Sequence, residues 1–144
     1  MSPHLWEVGR NDSVQWVESR MSSGFPEIDN QHKEWISRFN AFNQAILEHK
    51  GEKVFADALM FFLRYTETHF RFEENLMKVQ HCPAEGINRQ EHAAFQKWIQ
   101  ELIFETWPLG ATEQDVLKLK NELANWLVSH ICGVDVKLRE CKAE

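Results

Sequence analysis

Four stretches of this chain repeat apolar residues at helical spacing, and each carries a histidine on its apolar stripe. The first stripe runs through His32, Trp35, Ile36, Phe39, Phe42 and Ile46. The second holds Phe62, Tyr65, His69, Glu73 and Leu76; the third His92, Phe95, Ile99 and Leu102; the fourth Leu119, Leu123, Leu127 and His130. An apolar stripe with a period near 3.6 forms a helix that must bury that face. With 144 residues there is room for one domain, so the four stripes must bury one another. No stretch alternates with a β-period, and neither repeats nor low-complexity tracts interrupt the pattern. Short connections favour antiparallel neighbours, so the expected fold is all-α, an up-down-up-down four-helix bundle.

Local signals place the boundaries. Residues 1–28, with a Ser-Ser-Gly step and Pro26 but no sustained period, read as an N-terminal arm along the outside of a bundle spanning 29–144. Asp29 is a candidate N-cap for a first helix reaching His49 and stopped by Gly51. A second helix is expected from about Lys53 to Val79. Cys82-Pro83 opens a turn, and Gly86 delays the third helix to about Ile87; it ends before Trp107-Pro108. Thr112-Glu-Gln-Asp115 is a capping-box variant that starts a fourth helix running to at least Leu138.

Composition narrows the function. A net charge of −6, with no Lys/Arg cluster, argues against a nucleic-acid partner. No apolar run approaches the roughly 18 residues of a membrane-spanning helix, and the N-terminus lacks the regions of a signal peptide. Cys82, Cys132 and Cys141 are odd in number and lack CxxC spacing, so they read as reduced thiols of a cytoplasmic protein.

The histidines carry the chemistry. A lone buried imidazole is ordinarily a hydrogen-bonded core residue. Four of them facing one another, with carboxylates among them, are costly to desolvate without a cation. His69 and Glu73, four residues apart, share a helical face. His-x-x-x-Glu is common by chance, but its place on an aromatic stripe makes an unpaired Glu73 unusual there. His130 and Asp135 are five apart, which leaves them roughly 140° apart on a regular helix. They meet only if the helix widens locally, as in a π-type turn eased by Gly133, or if Asp135 reaches around. Glu-x-x-His and His-Glu-x-x-His are both absent, which excludes the ferritin-like carboxylate di-iron pattern and the zincin proteases. A donor set rich in imidazole and poor in carboxylate suits reversible redox chemistry of iron.

At these residues the chain resembles a known family. The stretches Gly24-Phe-Pro-Glu-Ile-Asp-Asn-Gln-His32, His69-Phe-Arg-Phe-Glu73, Gln90-Glu-His92-Ala-Ala-Phe95 and Trp126-Leu-Val-Ser-His130-Ile-Cys-Gly-Val-Asp135 are similar to the helix motifs of the bacterial hemerythrins. The likeness covers about residues 16–138. It implies a four-helix bundle holding two non-haem irons with an oxo or hydroxo bridge. His32 and His69 would bind one iron, His92 and His130 the other, and Glu73 and Asp135 would bridge the pair. The family has His-x-x-x-His on its third helix, and Asn88 stands here in place of the first of those histidines. That leaves three alternatives for the vacated position: an open or water-filled site, Glu85 reaching in from one turn earlier, or Asn88 itself.

The resemblance further implies O2 as ligand, with nitric oxide, peroxide or small anions as alternatives at an open iron. It also implies a fused signalling output domain such as a diguanylate cyclase, which makes an oxygen or redox sensor the leading expectation. A free-standing oxygen carrier and a peroxide- or nitric-oxide-handling enzyme are the competing ones. A homodimer is left open. His4, His49 and His81 read as surface residues. Trp35, Trp98 and Trp126 read as core, with Trp126 also placed to line an oxygen pocket.

Overall fold

The structure is a computed structural model that describes residues 13–107 and 109–141. Its elements, in chain order, are α1 (Glu18–Met21), α2 (Pro26–Leu47), α3 (Gly51–Val79), α4 (Glu85–Thr106), α5 (Glu113–Gly133), a 3-10 turn (Asp135–Lys137) and α6 (Leu138–Cys141). Contacts between helix ends fix the topology. His32, near the start of α2, meets His69 near the end of α3. His92, near the start of α4, meets His130 near the end of α5. Successive long helices are therefore antiparallel, and α2–α5 form the expected up-down-up-down bundle.

Two apolar clusters stack along the bundle. The larger contains Trp35, Phe39, Phe62, Ile99, Leu119, Leu123 and Leu127, all essentially solvent-free. Each large side chain buried there contributes about 1.5–3 kcal/mol. The smaller cluster, Ile28, Met77, Cys82, Ala84 and Leu138, closes one end. Between them lies a layer of buried polar side chains, described below.

Several local expectations change. The first long helix begins at Pro26, which occupies the N1/N2 position where its missing N–H removes no hydrogen bond. Asp29 lies inside that helix, and its carboxylate accepts from the Ser23 backbone N–H at 2.7 Å and from the hydroxyls of Ser22 and Ser23 at 2.8 Å each. Asp29 thus ties the entry segment to α2 instead of capping it. Part of the arm packs inward: Val14 and Met21 are fully buried, and Asn40 brackets the Val14 backbone with two hydrogen bonds.

Gly51 does not stop α2. It is the first residue of α3, where an added Cβ would meet Val116 Cγ1 at 2.8 Å. His49 instead adopts φ 62°, with Lys50 N–H donating to Ala45 O, the Schellman ending that glycine usually serves. His81 ends α3 in the same way, with φ 54° and Cys82 N–H donating to Met77 O. Both histidines are exposed, as expected; His4 lies outside the described residues. The third bundle helix starts at Glu85, not Ile87, because Gly86 is simply absorbed into its first turn. The Thr112–Asp115 capping box forms with both of its reciprocal bonds.

The largest departure concerns the cysteines. Cys82 and Cys141 form a disulfide, so they are not the reduced thiols expected from their number and spacing. Their separation of 59 positions in sequence hid the pairing. The turn after α3 and the short α6 lie side by side only once the bundle has formed. Cys132 takes no part in this bond.

Candidate metal centre

Six side chains converge between the two apolar clusters: His32 from α2, His69 and Glu73 from α3, His92 from α4, His130 from α5 and Asp135 from the 3-10 turn. Each is at most 3% exposed. The helical face shared by His69 and Glu73 carries both inward. Asp135 arrives by a different irregularity from the π-type turn considered for it. The α-helix ends at Gly133, and the backbone tightens into 3-10 geometry from Asp135. This places Asp135 Oδ1 3.0 Å from His130 Nε2.

The two carboxylates divide their oxygens between two pairs of histidines. Glu73 Oε2 lies 3.2 Å from Nε2 of both His32 and His69, whereas its Oε1 lies 3.1 Å from His92 Nε2 and 3.7 Å from His130 Nε2. Asp135 repeats the division, with Oδ2 3.0 Å from His32 and Oδ1 3.0 Å from His130. His92 and His130 bring their Nε2 atoms to 3.0 Å from one another.

The other ring nitrogens are turned outward. His92 Nδ1 is 2.8 Å from Glu74 and His130 Nδ1 is 2.7 Å from Glu91, while His69 Nδ1 meets the Gln31 side-chain oxygen. Carboxylate and amide oxygens only accept, so these Nδ1 atoms donate outward, and the Nε2 atoms are the ones directed at the cage. Nitrogens and carboxylate oxygens packed this closely need protons or a metal cation between them. Consistent with that, Glu73 Oε1 and both oxygens of Asp135 have close imidazole neighbours but no hydrogen bond of acceptable alignment.

Electrostatics point the same way. Burial opposes protonation of His32, but Asp135 and Glu73 outweigh it and raise its pKa to about 9. His130 likewise rises despite burial, driven by Asp135, Glu73 and Glu91. Burial opposes ionisation of Glu73, yet the surrounding imidazoles hold it well below the usual carboxylate range. The His130 hydrogen bond also lowers Glu91. His69, with fewer anionic neighbours, is lowered by burial. Two buried carboxylates thus demand compensating positive charge, and the donor set (imidazole nitrogen and carboxylate oxygen) is one that iron and its neighbours in the first transition row accept.

Aromatic rings shield the cage. Phe70 stacks on His92 at 3.7 Å, Trp126 on His130 at 4.3 Å, and Tyr65 on His69 at 5.1 Å. Trp126 and Trp98 are only partly buried, whereas Trp35 is fully enclosed. The remaining candidates separate. Glu85 turns away to pair with Arg89 at 2.7 Å. Asn88 is fully buried one turn before His92, and neither polar atom of its side-chain amide has a hydrogen-bond partner among the described residues.

Residues 23–138 match the Hemerythrin HHE cation binding domain. The chain belongs to the hemerythrin family. Similar curated proteins include the bacteriohemerythrin of Aquifex aeolicus, 31% identical over 75% of this chain and 82% of that protein. Those of Stenotrophomonas maltophilia and Pseudomonas paraeruginosa are 30% and 29% identical, each over 80% of this chain and 72% of the relative. No solved structure gives a significant match. The cage is a group of side chains that could hold cations; its donors fall into His32, His69 and Glu73 on one side and Glu73, His92, His130 and Asp135 on the other, with the second Asp135 oxygen also 3.0 Å from His32.

Sequence reasoning missed Gln31, Glu74 and Glu91. Each directly adjoins a cage residue in sequence (His32, Glu73 and His92), which was the available signal.

Proposed function

We propose that this hemerythrin holds two non-haem irons joined by an oxo or hydroxo bridge, binds O2 in its reduced state, and serves as an oxygen or redox sensor. His32 and His69 hold one iron, His92 and His130 the other, and Glu73 and Asp135 span the pair. The observation that carries this reading is the division of each carboxylate between two histidine pairs; a single cation would leave two imidazoles unused. Held there in the reduced state, such a pair would supply the two electrons that bound O2 takes up. The protein's own part is to orient the imidazoles through their outward nitrogens and to exclude bulk water with Phe70, Tyr65 and Trp126. Asn88 supplies no imidazole, which would leave the iron of His92 and His130 a coordination position for nitric oxide, peroxide or a small anion.

The sensing half of the proposal rests on Asp135. It opens the 3-10 turn that leads straight into α6, so a change at the cage reaches α6 through three residues. The output is a fused signalling domain such as a diguanylate cyclase.

Metal analysis of protein expressed with ample iron is expected to find close to two irons per chain. About one iron, or zinc in preference, would refute the di-iron assignment. Replacing Glu73 by Ala is expected to remove more metal than replacing His32, because Glu73 touches both donor groups. Equal losses would contradict its bridging role.

A further inference from the structure

Three residues outside the donor set tie the helices together in relay. Gln31, beside His32 on α2, bonds His69 on α3; Glu74, beside Glu73 on α3, bonds His92 on α4; Glu91, beside His92 on α4, bonds His130 on α5. One residue along a helix is a turn of about 100°, so when a cage residue points inward its neighbour points toward the adjacent helix. Each helix thereby sets the ring orientation of the next.

The relay is unequal in charge. The inner donors are balanced, since each end of the cage has two imidazoles and one oxygen from each of Glu73 and Asp135. Behind them the balance fails. His92 and His130 are backed by carboxylates, His69 by a neutral amide, and His32 Nδ1 has no hydrogen-bond partner among the described residues. The two ends therefore differ by two negative charges one ring away from the cation positions. A carboxylate behind an imidazole raises its basicity as a ligand and favours the higher oxidation state of the metal it holds. Asn88, whose buried amide has no partner, lies one turn before His92 at this same end.

We infer that Glu74 and Glu91 are positioning residues that make the His92/His130 end the electron-rich end of the centre. They offset the imidazole that Asn88 does not supply, and they hold ferric charge there in preference to the His32/His69 end. The inference rests on the di-iron reading. Glu74 and Glu91 are 28% and 38% exposed, so the bundle tolerates changes at both positions.

The test separates charge from hydrogen bonding. Glu→Gln keeps an oxygen that accepts from Nδ1 but removes the charge; Glu→Ala removes both. Iron-loaded protein carrying Glu74→Gln and Glu91→Gln together is expected to retain two irons and to show a higher reduction midpoint than the parent in an anaerobic redox titration. Gln31→Glu, which places a carboxylate behind His69, is expected to lower the midpoint and to bring the Mössbauer doublets of the two ferric ions closer together. Glu91→Ala is expected to weaken one iron by roughly 10- to 100-fold against a ferrous chelator and to leave the other unchanged. An unmoved midpoint in the double variant, or equal weakening of both irons in Glu91→Ala, overturns the inference while leaving the di-iron centre standing. A parent protein that takes up no iron overturns the di-iron reading and this inference with it.

Discussion

A buried amide with neither oxygen nor nitrogen engaged costs roughly 1–3 kcal/mol, and Asn88 is such a group. Leu or Ala would fill the position without that penalty, so a polar side chain there is best explained by something polar arriving beside it. In the proposed centre that is a water, hydroxide or anion on the iron held by His92 and His130. Restoring the family's imidazole with Asn88→His fills the position and restricts solvent entry. The oxygenated protein is then expected to oxidise to the diferric form more slowly than the parent, as followed by stopped-flow absorbance after mixing reduced protein with O2. An unchanged rate would mean that Asn88 does not govern access. The six inward donors were legible in sequence because each sits on, or just beyond, an apolar stripe where a polar residue stands out. Gln31, Glu74 and Glu91 were not, because each stands one position off the stripe and reads as ordinary solvated surface.

At the scale of elements, periodicity identified every long helix, but their ends followed local chemistry that periodicity does not report. The Thr112 box was readable because both partners lie within one turn. The endings at His49 and His81 were not, since histidine is an uncommon occupant of the left-handed region and Gly51, close to His49, is the residue type that usually takes that place. Asp135 was the hardest. Its angular mismatch with His130 signalled an irregularity, but sequence could not choose between a widened turn and a helix end followed by 3-10 backbone. The Cys82–Cys141 disulfide bears on the same segment, because it fastens α6 to the turn between α3 and α4. Closing a loop of this length stabilises a domain by about 2–4 kcal/mol, chiefly by restricting the unfolded chain. Metal-free Cys141→Ser is therefore expected to lose stability of that order in urea unfolding, and a reductant is expected to have the same effect on the parent but none on the variant. Identical midpoints for parent and variant would show that the bond contributes nothing to the folded domain.

Across the whole molecule, apolar packing is unevenly distributed, a division that the proposed sensing role would use. The half of the bundle around Trp35, Phe62, Leu119 and Leu123 is a continuous apolar core with no ionisable group among its largest buried members. Interiors packed in this way do not deform gradually, so a change at the cage has to be absorbed elsewhere. The other end has less to hold it: a small cluster of Ile28, Met77, Cys82, Ala84 and Leu138, and the short segments that carry Asp135 and α6. In the proposed centre a change in iron charge would alter the pull on Asp135, and the break between α5 and the 3-10 turn is the backbone irregularity nearest to it. The diferrous and diferric forms are accordingly expected to differ in amide hydrogen exchange across residues 130–141, with the core halves of α2 and α3 unchanged. The same comparison in Asp135→Asn, which retains the shape but not the charge of the carboxylate, is expected to show a smaller difference. If protection over 130–141 is identical in both oxidation states, the cage has no mechanical route to α6, and the oxygen-carrier reading becomes the better account of this hemerythrin.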